Sequence, residues 1–415
     1  FKKHRIVKER EQEENKMLQG KTVLLGVTGG IAAYKMPNVA RMLKKMHCNV
    51  HVLMTQNATN FITATTFETL TGNKCLIDTF DRNFEFSVEH VALAKQADLV
   101  LLAPATANVI GKIANGIADD MLTTTVMACT CKVLVAPAMN HNMYHNSIVQ
   151  ENLEKLKRHG YEMIDPVCGM LANGDTGDGK LPSEETLVEY VLRELAFEKD
   201  MQGLKVLVTA GPTQEAIDPV RFISNHSTGK MGYAIAKNAM LRGAEVTLVT
   251  GRTALEPPMF VKTVPVTSAK DMYQAVMECA KEQDIIVKAA AVADYTPAHT
   301  ADEKIKKSEG ELSLALEKTT DILAELGKNK GNTVLCGFSM ETEHMLENSR
   351  AKRKKKNLDM IAANNLKQQG AGFAGDTNVL TLITEDWEKE LALMSKDEAA
   401  KCLLDELLKI KKNKK

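Results

Sequence analysis

The sequence predicts two α/β domains in tandem, each a three-layer parallel-sheet domain of Rossmann-like or flavodoxin-like type. Short apolar runs alternate with helix-period segments, which puts helices on both faces of a parallel sheet. A glycine-containing turn follows the opening strand of each half. The strand–turn–helix pattern that begins at KTVLLGVTGG also restarts at Leu204 with LKVLVTAGPT.

Residues 1–16, FKKHRIVKEREQEENK, are almost all charged and read as a solvated extension or a start-site artefact with no chemistry of its own. KTVLLGVTGG is a buried strand broken by glycines, and IAAYKMPNVARMLKKM has the apolar spacing of a helix on a sheet. NVHVLMT, ADLVLLAPA and CKVLVAPA are further strands with helical patterns between them. PSEETLVEYVLRELAFEKDMQG is a charged amphipathic helix running into a linker, with the boundary near Lys199 to Gly203. After the restart, AEVTLVTG, DIIVKAAAVADY, NTVLCGFSME and LDMIAANN are strands; residues 388–415 form a last helix, and KKNKK a frayed tail. The expected division is 1–16, 17–198 and 199–415.

A length of 415 residues allows two or three domains at the usual ~150 residues each. With 53 basic and 53 acidic side chains, no net charge argues for a nucleic-acid or membrane-surface partner. No apolar stretch reaches the ~20 residues of a membrane span, and no secretory signal is expected. The eight cysteines, Cys48, Cys75, Cys129, Cys131, Cys168, Cys279, Cys336 and Cys402, form no C-x-x-C pair and no zinc-type spacing. Several lie in apolar runs and should pack as small hydrophobes, which suits a reducing cytoplasm.

Three polar loops follow three strands of the first half. Thr28-Gly29-Gly30 could be a phosphate turn or a structural one, because the full G-x-G-x-x-G spacing is missing. Thr106 and Asn108 close the second loop, and PAMNHNMYHN forms the third. Ligands of open parallel sheets bind at such carboxyl ends. In order, GVTGGIAAYK, the isolated histidine of VEHVALAKQADLVLLAPATAN, GKIANGIADDMLTT and PAMNHNMY resemble the homo-oligomeric flavin-containing cysteine decarboxylases over residues 20–195. More specifically, this stretch looks like the decarboxylase half of the bacterial bifunctional coenzyme A biosynthesis proteins.

The resemblance implies FMN held by Thr28, Gly29, Gly30, Thr55, Thr106 and Asn108, with His90 as acid–base and Asn140 as a substrate-carboxylate or intermediate ligand. The chemistry suits these residue types. Oxidising a thiol to a thioaldehyde creates the electron sink that a simple amino-acid carboxylate lacks. A histidine titrates near neutrality and can move the protons. Here the chain departs from the family. Where the substrate clamp usually reads A-C-G-D-x-G-x-G, this chain reads LANGDTGDGK, so Asn173 stands at the cysteine that protonates the enethiolate. Asparagine is no comparable acid. Cys168 in PVCGM could take over, or it could merely pack.

In the second half, AGPTQEAIDPVRFISNHSTGKMGYAIA is dense in Gly and polar residues before a helix, but it lacks Walker A spacing. Asn225 and His226 could cap that helix. EKIKK and AKRKKKNLD concentrate positive charge, either as solvated faces or as partners of a triphosphate. DPVRFISNHSTGKMG, AAAVADY, KIKK, GFSMET and K-x-x-x-K-N-x-D resemble the phosphopantothenate–cysteine ligases over residues 204 to about 410.

That resemblance implies CTP lying against Ala289, Ala290, Asp294 and Phe338, with Asp321, Lys304, Lys352 and Lys356 also in its site and Asn225 serving an acyl-cytidylate step. The family often has proline where Thr320 stands. The implied reaction joins 4′-phosphopantothenate to L-cysteine with CTP and Mg²⁺, and decarboxylation to 4′-phosphopantetheine follows. Metal ligands are not assigned. A trimer-based flavin domain and a dimeric ligase domain are implied in the same way. Competing readings are an active ligase with a flavin domain impaired in its last step, or a non-catalytic flavin-binding regulator. A nicotinamide dehydrogenase is disfavoured, since no G-x-G-x-x-G with a ribose-binding acid follows either opening strand.

Overall fold

In the computed structural model, the described residues are 16–79, 89–170, 174, 176–306, 313–341, 343–365 and 375–414. The charged N-terminal segment before Lys16, Asn173, Lys307 and Lys415 lie outside them. The chain divides into two compact units after Phe197.

The first unit is a five-stranded parallel sheet of β1 (Thr22–Val27), β2 (Asn49–Met54), β3 (Leu99–Ala105), β4 (Lys132–Pro137) and β5 (Glu162–Met163). Its order is β2-β1-β3-β4-β5, every pair parallel. This is the flavodoxin-like order, whose switch point lies between β1 and β3. All residues of β1 and β3 are buried, because helices cover both sheet faces. Leu24, Leu25 and Leu101 are fully buried, each contributing about 1.5–3 kcal/mol. The helices start at oxygen-bearing caps: Thr106 accepts from the Val109 amide, and Asp120 and Thr123 form a reciprocal capping box. A hairpin of β6 (Val167–Met170) and β7 (Thr176–Lys180) follows the sheet.

The second unit contains β8 (Lys205–Ala210), β9 (Gln214–Ala216), β10 (Phe222–Ser224), β11 (Glu245–Thr250), β12 (Lys262–Pro265) and β13 (Ile285–Lys288). Then come β14 (Tyr295–Pro297), β15 (Leu316–Lys318), β16 (Val334–Glu341), β17 (Met360–Asn365), β18 (Thr377–Asn378), β19 (Leu380–Ile383), β20 (Glu388–Glu390) and β21 (Met394–Ser395). The main sheet runs β12-β11-β8-β13-β16-β17-β19-β20. Its first six strands are parallel in the Rossmann order, with the switch point between β8 and β13. The helix Lys230–Leu241 lies close against β8 because residue 232 is glycine. A Cβ there would stand 2.6 Å from Ala210 Cβ and 2.9 Å from Thr209 O.

Two features depart from the sequence reading. The strands β19 and β20 are antiparallel, since a tight turn closed by Thr384 and Trp387 joins them with no crossover helix. The last helix runs over Lys396–Asn413 rather than from residue 388. Ser395 and Glu398 form its capping box, and Glu388–Glu390 has already paired as the sheet edge.

Arg242, 5% exposed, fastens the start of this unit. Its guanidinium donates to both carboxylate oxygens of Asp200 and, at 2.7 Å, to Asp405 on the last helix. The Met201 amide donates to Arg242 O, and Lys199 Nζ donates to Leu241 O at 2.6 Å.

Candidate active sites

At the first switch point, Thr28 is fully buried and its hydroxyl is already committed. It donates to Pro104 O at 2.6 Å and accepts from the Thr106 amide at 3.1 Å. The side chain therefore staples the loop after β1 to the loop after β3. Gly29 has a steric reason to be glycine, since a Cβ would meet Asn57 Cβ at 2.5 Å. A Cβ at Gly30 would meet only Thr106 Cγ2, at an ordinary 3.7 Å.

Thr55, also buried, caps the short turn Gln56–Asn60. Thr106 opens the helix Ala107–Ala114, with Asn108 exposed in its first turn. The amides of that turn have no intrahelical acceptor, which suits an anionic group. These loops fit a flavin mononucleotide: three strand ends converge, backbone approaches closely at Gly29, and a helix N-terminus is available. His90 is half-buried in the first turn of Glu89–Gln96, a helix that packs on Met121–Ala128.

Asn140 is half-buried at the end of β4 and accepts from the Asn142 amide at 2.9 Å. The hairpin docks on this loop, with the Met139 amide donating to Gly179 O at 3.0 Å. Its neighbours His145 and Asp178 pair at 3.1 Å, and the Asp178 amide donates to His141 Nδ1 at 3.2 Å. Among the described residues these three form the His/Cys/Asp/Glu group with metal-like spacing, but the Nδ1 lone pair of His141 is occupied by the amide. Cys168 is exposed on β6. The eight cysteines are free thiols, and burial pushes those of Cys48 and Cys75 up to about 12.

At the second switch point lies a cavity of about 440 Å³. Asn225, Ala289, Ala290, Asp294, Asp321, Phe338, Lys352 and Lys356 all line it, so eight sequence-selected residues converge there. The walls are tied by hydrogen bonds. The Ala290 amide donates to Thr209 Oγ1, the Ala293 amide to Thr213 Oγ1, and Asn225 Nδ2 to Ala291 O. Thr319 binds back to Ala293 and Asp294. Asp321 caps the helix Ile322–Lys328 and pairs with Lys356 at 2.7 Å.

Lys304 is not part of the lining. It is exposed on a neighbouring segment that Asp218 and Arg221 hold through the Ile305 backbone. The Asp218 carboxyl lies well below the usual carboxylate range, chiefly through the Arg221 side chain and then through backbone amides. DPVR is thus a clamp for the K-I-K segment.

Sequence reasoning missed Lys288, Lys230, Lys396 and Asn364, all of which line the cavity. Lys288 ends β13, where burial, then Lys352 and Lys356, push its ammonium down to about 8. Lys396 is pushed down to about 8 by burial and Lys230, while its Nζ donates to Gly375 O at 2.6 Å. Lys230 pairs with Asp376 at 2.8 Å. The usable signal was positional, since Lys288 and Asn364 are polar residues at the carboxyl ends of apolar strands.

A flavodoxin-like unit is followed in the chain by a Rossmann-like unit whose switch point carries a lysine-lined cleft, the fold pair of a two-domain α/β protein. Residues 11–196 match the Flavoprotein family, and residues 201–410 match the DNA/pantothenate metabolism flavoprotein C-terminal domain. The coenzyme A biosynthesis bifunctional protein CoaBC of Bacillus subtilis is 45% identical over 400 residues, covering 95% of this chain and 98% of that protein. The protein of the same name from Escherichia coli K12 is 42% identical over 395 residues, covering 94% and 97%. A crystal structure of the C-terminal domain of a CoaBC protein is 41% identical, covering 52% of this chain and all of that one, with a TM-score of 0.46.

The chain belongs to the CoaBC family of bifunctional coenzyme A biosynthesis proteins. It is a two-activity enzyme, a lyase and a ligase, and a flavoprotein.

Proposed function

We propose that the second unit condenses 4′-phosphopantothenate with L-cysteine at the expense of CTP and Mg²⁺, and that the first unit decarboxylates the product with FMN. The observation that carries the ligase reading is the cavity at the carboxyl ends of β8 and β13, which gathers Lys288, Lys352 and Lys356 around Asp321 and Asp294. A triphosphate needs such cations while pyrophosphate departs. Ala289, Ala290, Asp294 and Phe338 serve the nucleoside, Lys352 and Lys356 the phosphates, and Asn225 the acyl transfer. Lys304 acts from the rim.

In the first unit Gly29, Gly30, Thr55, Thr106 and Asn108 would hold FMN, and Thr28 shapes the loop between them. Bound flavin supplies the two-electron chemistry that decarboxylation requires. His90 moves protons, and Asn140 binds the substrate carboxylate. Cys168 is the proton donor in place of Asn173. Its exposure favours this over simple packing, because a packed thiol would be covered.

Exposed apolar side chains support homo-oligomers of each unit: Ile31, Tyr34 and Ile148 on the first, and Val220, Phe222 and Tyr295 on the second. Free thiols suit a cytoplasmic setting. No helix among the described residues is long and apolar enough to cross a membrane.

One reaction tests the whole scheme. Phosphopantothenate, cysteine, CTP and Mg²⁺ should give phosphopantetheine by mass spectrometry, together with CMP. Absence of CMP would remove the ligase claim. Accumulated enethiol would remove the proton-donor role of Cys168.

A further inference from the structure

In the first unit, both residues that flank Asn140 are tied to the hairpin β6–β7, which carries the clamp sequence. On one side the Met139 amide donates to Gly179 O at 3.0 Å. On the other the Asp178 amide donates to His141 Nδ1 at 3.2 Å. The first bond is all backbone, so any residue at 139 other than proline could make it. The second depends on one side chain, and no step assigned above uses it. His145, at the end of the same turn, pairs through Nε2 with the Asp178 carboxylate at 3.1 Å. The turn after β4 thus grips Asp178 by its backbone and by its side chain.

The fit is close enough to exclude a side chain at two hairpin positions. A Cβ at Gly177 would stand 2.7 Å from His141 Nδ1 and 2.9 Å from its Cγ, so the strand lies directly on the imidazole. A Cβ at Gly179 would collide with Met139 O, and the φ of +120° there favours glycine. The His141 and His145 rings pack 4.4 Å apart at a tilt. An amide N–H can only donate, so Nδ1 of His141 presents its lone pair and the ring carries its proton on Nε2.

We propose that His141 is a positioning residue for decarboxylation: its Nδ1 latches the clamp hairpin to the loop and so holds Asn140 ready for the substrate carboxylate. The inference rests on the carboxylate-binding role of Asn140 proposed above. Asn140 Oδ1 accepts from the Asn142 amide at 2.9 Å, which leaves Nδ2, the donor end of the carboxamide, for an anion. A donor on a wandering backbone binds weakly, because ordering it costs entropy when the ligand arrives. With Met139 and His141 both bonded to the hairpin, that ordering is completed on folding. The His145–Asp178 pair contributes less, since its side chains are 49% and 43% exposed and water screens them.

The test uses the full chain and three substitutions. Asparagine carries an acceptor on Cγ, as histidine carries Nδ1, whereas glutamine carries it one methylene further out. In His141→Ala the KM for phosphopantothenoylcysteine, read by CO2 release, should rise about tenfold while kcat stays within about threefold. His141→Asn should return the KM to within about threefold of wild type, and His141→Gln should not. A space-filling role would be served as well by glutamine as by asparagine, so the split between them reports the acceptor. Hydrogen–deuterium exchange of the hairpin peptide should quicken by about one amide in the Ala and Gln variants and not in the Asn variant. Thermal melting and flavin absorbance check that each variant is folded and loaded. An unchanged KM in His141→Ala, or a His141→Asn protein as impaired as His141→Ala, would overturn the proposal. A wild-type protein that binds FMN yet releases no CO2 would instead sink the decarboxylase reading, and the exchange measurement would still decide the latch.

Discussion

Replacing Lys288 by methionine should abolish a measurable proton uptake on nucleotide binding. Lys288 is pushed down to about 8 from an ordinary 10.5, first by burial and then by Lys352 and Lys356. At pH 8 about half the molecules therefore carry it neutral. A bound triphosphate brings negative charge to that end and restores the ammonium, so each site should take up about half a proton. Lys396 has a similar value, but Lys230 and Asp376 surround it, and it should contribute little.

Calorimetry of CTP binding at pH 8, in buffers of different ionisation enthalpy, reads this directly. Wild type should give an uptake near one half, Lys288→Met near zero, and both near zero at pH 6.5, where Lys288 is already charged. Losing one charge-assisted contact should also weaken binding by about 1.5–3 kcal/mol. The sign reverses for the free protein. A lowered lysine pKa is a stability cost present below about 8 and relieved as pH rises toward 10.5. Lys288→Met should therefore raise the melting temperature without nucleotide at pH 7, by up to about 3 kcal/mol of stability. Equal uptake in wild type and variant would refute this account of the cavity.

Gly232→Ala should destabilise the second unit by about 1–3 kcal/mol in urea titration, because the added methyl meets Ala210 and Thr209 at under 3 Å; an unchanged midpoint would mean the helix shifts freely. Ser395→Ala removes a cap that accepts from the Glu398 amide at 3.1 Å and should cost about 1 kcal/mol by thermal melting. Cys168→Ser should preserve CO2 release yet stop formation of the saturated thiol, read by mass spectrometry. Asn173→Cys in that background should restore it.

Continuous apolar strands were legible because burial on both faces leaves no alternation to misread: TVLLGV and LVLLAPA are wholly buried. The strand Glu388–Glu390 was not, because it is an exposed charged edge whose pairing depends on a partner strand rather than on its own pattern. At the cavity, lysine runs stood out while single lysines did not. Lys352 and Lys356 were found within a cluster, but Lys288 is one cation after three apolar residues. Lys304 shows the opposite limit: a motif identifies a segment, while exposure of its side chain depends on how Asp218 holds the backbone. Asn364 offers only a positional signal, as a polar residue near the carboxyl end of an apolar strand.

The Arg242 clamp bears on how the two activities can be separated. The segment after Phe197 looks in sequence like disposable linker, yet Lys199, Asp200 and Met201 are bonded into the body of the second unit. A split gene that began the ligase at the first strand of its sheet would leave the largely buried guanidinium without its strongest partner. Independent expression, or an evolutionary fission of the polypeptide, therefore has a preferred cleavage point before residue 198, and the ligase half should carry those few residues with it.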